Sequence, residues 1–161
     1  EWSHASEALH LSELIHYVAS RTPIGTQLKL PSITGESNTL HYRGLGRLSC
    51  IADEPALIFE LICVALLTGN IPVIRYLPSA WRKALQNEVI EINTSPDLSQ
   101  VDGILCQRKN IASNPANPLC PIITPLENGK WPLFRLVSEY TITSNTAAMG
   151  GDVELICKDS V

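Results

Sequence analysis

The sequence predicts an α/β fold, a small and mainly parallel sheet with helices on its faces and a strand tail at the end. Two observations lead there. Apolar residues switch repeatedly between one-face helical spacing and short strand-like runs. The resulting β-α-β-α-β order requires crossover connections, which set successive strands parallel. The composition suits one packed domain: 161 residues, 45% hydrophobic and 17% charged, long enough for a sizeable core and too apolar for disorder.

Residues 6–20 read as a helix, with Leu11, Leu14, Ile15 and Val18 at one-face spacing. Arg21 suits its C-terminal end, and Thr22-Pro23 stops it. A loop with Pro31 and Gly35 follows. Residues 39–42 and 47–52 read as strands joined through Gly44 and Gly46. Asp53 is the expected N-cap of the next helix, with Pro55 in its first turn. That helix runs to about Thr68 and is apolar nearly all round, so more than one side should be buried. Gly69 ends it as a C′ residue.

Residues 71–76 form the next expected strand, and Pro72, lacking an N–H, must sit at its start or on an edge. Residues 78–86 read as a short helix, 89–92 and 101–106 as short strands, and 110–121 as loop. Residues 121–124 suggest a short buried strand and 131–138 a helix opened by Pro132. Trp81 and Trp131, each near a helix start, read as core or domain-contact residues. These elements divide the chain into an α/β domain over 1–138 and a tail over 139–161.

The tail begins with a period-2 run (Tyr140, Ile142), passes through Asn145, Thr146, Ala147, Ala148, Met149, Gly150 and Gly151, and ends in a second such run (Val153, Leu155). Small residues and a glycine pair let one backbone approach another closely. The segment therefore reads as a docking surface. The acidic residues Glu139, Asp152 and Glu154 read as a solvated strand face, kept at the rim because an unpaired buried carboxylate is costly.

The tail also resembles the C-terminal motif of the proline utilization A family, a strand, Asn-Thr-Ala-Ala-Ala-Gly-Gly-Asn, then another strand. Met149 and Asp152 depart from that pattern. A second block, Leu30-Pro31-Ser32-Ile33-Thr34-Gly35-Glu36-Ser37-Asn38-Thr39, resembles the family's Leu-Pro-Gly-Pro-Thr-Gly-Glu-x-Asn-Thr segment. Between them, Thr68-Gly69-Asn70 followed by Val73-Ile74 resembles the helix-Gly-Asn-strand junction of aldehyde dehydrogenases. The resemblance implies a Rossmann-like sheet of aldehyde-dehydrogenase type, in a noncatalytic C-terminal domain of the family's longer members. It implies a parent that oxidises L-proline with FAD and then glutamate semialdehyde to L-glutamate with NAD. The domain would brace the dehydrogenase domain, of its own polypeptide or of a dimer mate, and its tail would help seal the tunnel between the two sites. Tyr140, Ile142, Asn145, Thr146, Ala147, Ala148, Gly150, Gly151, Val153 and Leu155 are the implied lid residues.

The chain's own chemistry is tested against that resemblance. Aldehyde oxidation needs a cysteine nucleophile and an acid that activates water. The family's Gly-Gln-Cys and Glu-Leu-Gly-Gly segments do not occur, and Cys106 in Ile104-Leu105-Cys106-Gln107 reads as a strand-end thiol. The Lys-Pro-Ser that follows the Gly-Asn strand in active relatives is displaced: here Arg75-Tyr76-Leu77-Pro78-Ser79 follows, and Arg75 and Tyr76 read as a strand end. Gly44-Leu45-Gly46 lacks the third glycine of a dinucleotide loop and reads as a turn. His4, His10 and His16 are six apart, about 240° of helix rotation per step, so they cannot share a face to hold zinc. Five cysteines without a Cys-x-x-Cys read as buried reduced thiols. Asn93-Thr94-Ser95 matches a glycosylation sequon that carries no meaning in a cytoplasmic protein.

No catalytic, cofactor-binding or metal residue is therefore assigned within the chain, and FAD and NAD belong to the implied parent. A net charge of −4 argues against nonspecific nucleic-acid binding. The longest apolar run, 56–68, is interrupted by Glu60 and is too short to span a bilayer. The chain opens on Glu1-Trp2 without a basic leader, which reads as a fragment of a longer polypeptide. The expected location is cytoplasmic, with peripheral association of the parent at the inner membrane as a variant. Two alternatives stay open: a stand-alone nucleotide- or metabolite-binding domain, and a pure assembly module that makes a homo-oligomer.

Overall fold

A run of apolar residues with Pro at its head forms the helix around which the first unit is built. The computed structural model describes residues 2–77, 81, 85, 88–94, 97–107 and 119–145, with backbone alone for 2–7. Contacts divide the chain into two units, Glu1–Ile24 with Arg43–Ser138 and Gly25–Tyr42 with Glu139–Val161.

In the first unit, α1 spans Trp2–Arg21 and α2 spans Pro55–Leu67. The strands are β3 (Arg47–Ile51), β4 (Ile71–Ile74), β5 (Glu91–Ile92), β6 (Gly103–Cys106) and β7 (Ile122–Ile123). They form one sheet in the order β5-β4-β3-β6-β7, with every neighbouring pair parallel. In register, Ser49 of β3 faces Val73 of β4 and Ile104 of β6. All four residues of β6 are buried, as expected where helices cover a parallel sheet. Pro72 is the second residue of β4, ahead of the first pair with β5, so its missing N–H breaks no bond to that strand. Val18, Leu48, Leu61, Ile62, Leu105 and Trp131 make up the centre of the core.

Two boundaries of α2 have physical causes. Its N-cap is Glu54, extended at φ −97°, ψ 137° and without a side-chain cap, rather than Asp53. A residue before proline is pushed out of the helical region, so the helix cannot include Glu54. At the other end Gly69 takes φ +71°. Its N–H donates to Leu66 O at 3.0 Å, and the Asn70 N–H donates to Ala65 O at 2.9 Å. This pair of bonds is a Schellman closure.

The expected helix over 131–138 is a 3₁₀ turn, Leu133–Leu136, followed by strand β8 (Val137–Asn145). The Leu136 carbonyl accepts from Leu45 N at 3.3 Å and Asn70 Nδ2 at 2.9 Å. Outside donors thus hold the carbonyl that a continuing helix would use. The expected helix over 78–86 lies mostly outside the described residues. Within it, Leu85 N–H donates to Trp81 O at 3.0 Å. The expected loop over 110–121 also lies largely outside them.

The second sheet has the order β1-β2-β8, with β1 at Gln27–Leu30 and β2 at Glu36–Gly44. The expected loop around Pro31 and Gly35 is the connection of an antiparallel β1–β2 hairpin, with Leu28 opposite Leu40 and Leu30 opposite Asn38. Gly35 has φ +83°, and Glu36 N–H donates to Ile33 O at 3.0 Å. The strands on either side of Gly44-Leu45-Gly46 therefore belong to different sheets.

Candidate functional site

The chain leaves β3 through α2 toward β4, whereas β6 leads the other way, to β7. The carboxyl ends of β3 and β6 thus flank a topological switch point, where open α/β sheets place ligands. A cleft of about 210 Å³ lies instead at the carboxyl ends of β3 and β4, lined by Cys50, Ala52, Asp53, Ile58, Arg75 and Tyr76 and by no described residue of β6. Arg75 and Tyr76 directly follow β4 and are exposed, as expected of a strand end. A phosphate at the first turn of α2 would need free N–H groups in a glycine-rich loop. The residues there are Ala52, Asp53, Glu54 and Pro55: two carboxylates and a proline without an N–H.

Gly44-Leu45-Gly46 lies at the amino end of β3, away from the switch point. A Cβ on Gly44 would run into the carbonyl of Gly69, and one on Gly46, at φ +132°, into the Asp102 carboxylate. The glycines make room for protein backbone, and the space a phosphate would fill is taken. Asn70 explains the junction. Its side chain accepts from Gly46 N at 3.0 Å and donates to Thr68 Oγ1 at 2.9 Å and Leu136 O at 2.9 Å. One buried amide ties together the end of α2, the crossover between sheets and the turn before β8. Sequence reading marked Gly69-Asn70 as a motif and missed this role, whose partners lie 24 and 66 residues away.

Four cysteines, Cys50, Cys63, Cys106 and Cys120, are buried thiols outside any disulfide. Burial pushes the Cys50 thiol far above its ordinary range. Burial, then the Glu60 carboxylate, pushes Cys63 up to about 11. A thiol held protonated is a poor nucleophile. Cys157 lies outside the described residues.

Of the expected lid residues, Tyr140, Ile142 and Asn145 stand on β8. Thr146, Ala147, Ala148, Gly150, Gly151, Val153 and Leu155 lie outside the described residues. The Tyr140 ring stacks on His41 of β2 with centroids 5.3 Å apart, and the Thr143 hydroxyl donates to Asn38 Oδ1 at 2.7 Å. Two sequence blocks separated by about a hundred residues thus meet in one sheet. That sheet leaves Tyr140 39%, Ile142 48% and Leu28 46% exposed.

One cluster went unread in the sequence. Glu60, on α2, is buried, and its Oε1 accepts from Trp131 Nε1 at 3.2 Å. His10 Nε2 stands 3.6 Å from its Oε2. The available signal was Glu60 itself, a carboxylate inside an apolar helix. His10 and His16 are on the surface, and the described residues contain no group of three or more potential metal ligands.

The first unit defines an α/β fold of aldehyde-dehydrogenase type. Lactaldehyde dehydrogenase from Escherichia coli is similar at TM-score 0.53 and 19% identity, over 75% of this chain and 31% of that one. The NADP-dependent glyceraldehyde-3-phosphate dehydrogenase of Bacillus halodurans is similar at TM-score 0.53 and 19% identity, over 77% and 33%. Proline utilization A from Bradyrhizobium japonicum gives TM-score 0.49 and 23% identity, over 74% and 15%. The chain thus spans between about a seventh and a third of these proteins' lengths. No protein-family model and no curated protein matches the sequence. No described helix is long and apolar enough to cross a membrane.

Proposed function

We propose that the chain is a noncatalytic, aldehyde-dehydrogenase-like C-terminal domain of a bifunctional enzyme that converts L-proline to L-glutamate. In this reading FAD and NAD act upstream, in the rest of the polypeptide. The domain braces the aldehyde dehydrogenase domain, and the strand tail helps close the channel for the intermediate. The observation that carries the proposal is the meeting of the Leu-Pro block and the tail-leading strand. Asn38 and Thr143 are hydrogen-bonded in a sheet whose Tyr140 and Ile142 remain exposed. A three-stranded sheet with apolar side chains exposed is suited to pack on a partner. The buried, protonated thiols and the carboxylates at α2 support a noncatalytic role.

The test is a parent enzyme truncated before Tyr140. Proline oxidation should persist, and coupled NADH formation should lag or fall. Coupled kinetics that stay intact while the oligomer mass changes would leave only an assembly role. The second reading, a stand-alone nucleotide-binding domain, is favoured by the parallel strand order and by the cleft at the carboxyl ends of β3 and β4.

A further inference from the structure

A second cleft, of about 550 Å³, lies between α1 and the first half of α2. Its volume is in the range that takes a small organic ligand. Phe59 and Trp81 form part of its wall, with ring centroids 4.9 Å apart and planes tilted by 45°. The ionisable groups among its described lining residues are Glu54, Glu60 and His10, with no Lys or Arg.

Glu60 is the unusual member. It is only 7% exposed, yet among the described residues just one of its oxygens is hydrogen-bonded, Oε1 to the Trp131 indole at 3.2 Å. Among the described residues, the cationic candidate paired with Oε2 is His10 Nε2 at 3.6 Å, too long for a good hydrogen bond, on a side chain 69% exposed. No described side-chain oxygen is both fully enclosed and unbonded, so Oε2 keeps access to the cleft. A carboxylate this deep is costly without a cation. Aromatic faces beside it also attract positive charge.

We propose that this cleft binds a small organic cation, an ammonium group carrying an apolar body. The ammonium sits on Glu60 Oε2, and the body lies against Phe59 and Trp81. This rests on the first unit alone and is independent of the role proposed above.

The full chain would be titrated with 2-phenylethylammonium, neutral 2-phenylethanol and 3-phenylpropionate, followed by indole NMR shifts. The expected result is saturable binding of the ammonium, Kd about 1 mM or tighter, with the alcohol at least about tenfold weaker and the acid not binding. Glu60→Gln keeps an acceptor for Trp131 and should weaken the ammonium about tenfold. Ala56→Trp, which fills the cleft from an exposed position, should abolish binding in a chain of unchanged melting temperature. Equal binding of alcohol and ammonium, or an ammonium Kd unmoved by both substitutions, would overturn the proposal. So would no binding at 10 mM, roughly ten times the expected Kd.

Discussion

Single residues here act through what they keep dry. Asn70 holds the Gly46 N–H and the Leu136 carbonyl in a buried, satisfied network. Asn70→Leu conserves shape but strands the Gly46 N–H and leaves the Leu136 carbonyl to Leu45 N, and should cost about 2–3 kcal/mol, read as a lower urea midpoint. Asn70→Asp should also destabilise, because a carboxylate would face the carbonyls of Thr68 and Leu136. The motif was visible in the sequence because Gly-Asn after an apolar helix is a stop signal. Its network was not, because hydrogen bonds across 66 residues leave no local pattern. The thiols give a pH-dependent test. Cys63 is raised in the folded chain from 9.0 to about 11. The unfolded chain thus loses its proton first, so stability from this group is full below about pH 9 and falls as pH rises toward 11. Cys63→Ala should flatten that alkaline decline in a series of urea melts, and Cys63 should label slowly with a thiol reagent at pH 8.

At the scale of elements, what was legible followed local periodicity. Both long helices and the strands β3, β4 and β6 could be read because their apolar spacing and their proline and glycine punctuation agree. The misreadings arose where tertiary bonds outweighed local signals. Residues 131–138 carry a helix-opening proline, yet donors from Leu45 and Asn70 capture the Leu136 carbonyl and turn the chain into β8. The strand β1 is four residues long and gains its partners from a hairpin, so alternation in Gln27–Leu30 was too brief to read. The Glu54 cap belongs here too. It supplies no side-chain hydrogen bond to α2. Glu54→Ser at this extended position should stabilise the chain by about 0.5–1 kcal/mol, seen as a higher urea midpoint. No gain would mean that the first-turn N–H groups of α2 are already satisfied.

The whole molecule joins a sheet able to hold a nucleotide with a first turn that repels one. The β5-β4-β3-β6-β7 order creates a switch point, but Asp53, Glu54 and Pro55 stand where a phosphate would need N–H groups. Calorimetric titration with NAD should accordingly show no saturable heat. Micromolar binding, roughly −8 kcal/mol, would favour the nucleotide-binding reading and defeat the noncatalytic one. The second sheet offers the complementary test. Its candidate docking residues were legible as alternation at Tyr140 and Ile142. Their partner strand was not, because pairing between distant segments is set by the fold. Ile142→Lys replaces a half-exposed side chain on β8, so the isolated chain should keep its melting temperature within about 2 °C. In the proposed parent enzyme, the same change should weaken the proposed contact of β8. If it leaves both coupled NADH formation and oligomer mass unchanged, β8 makes no such contact of its own, and the proposal loses the observation that carries it.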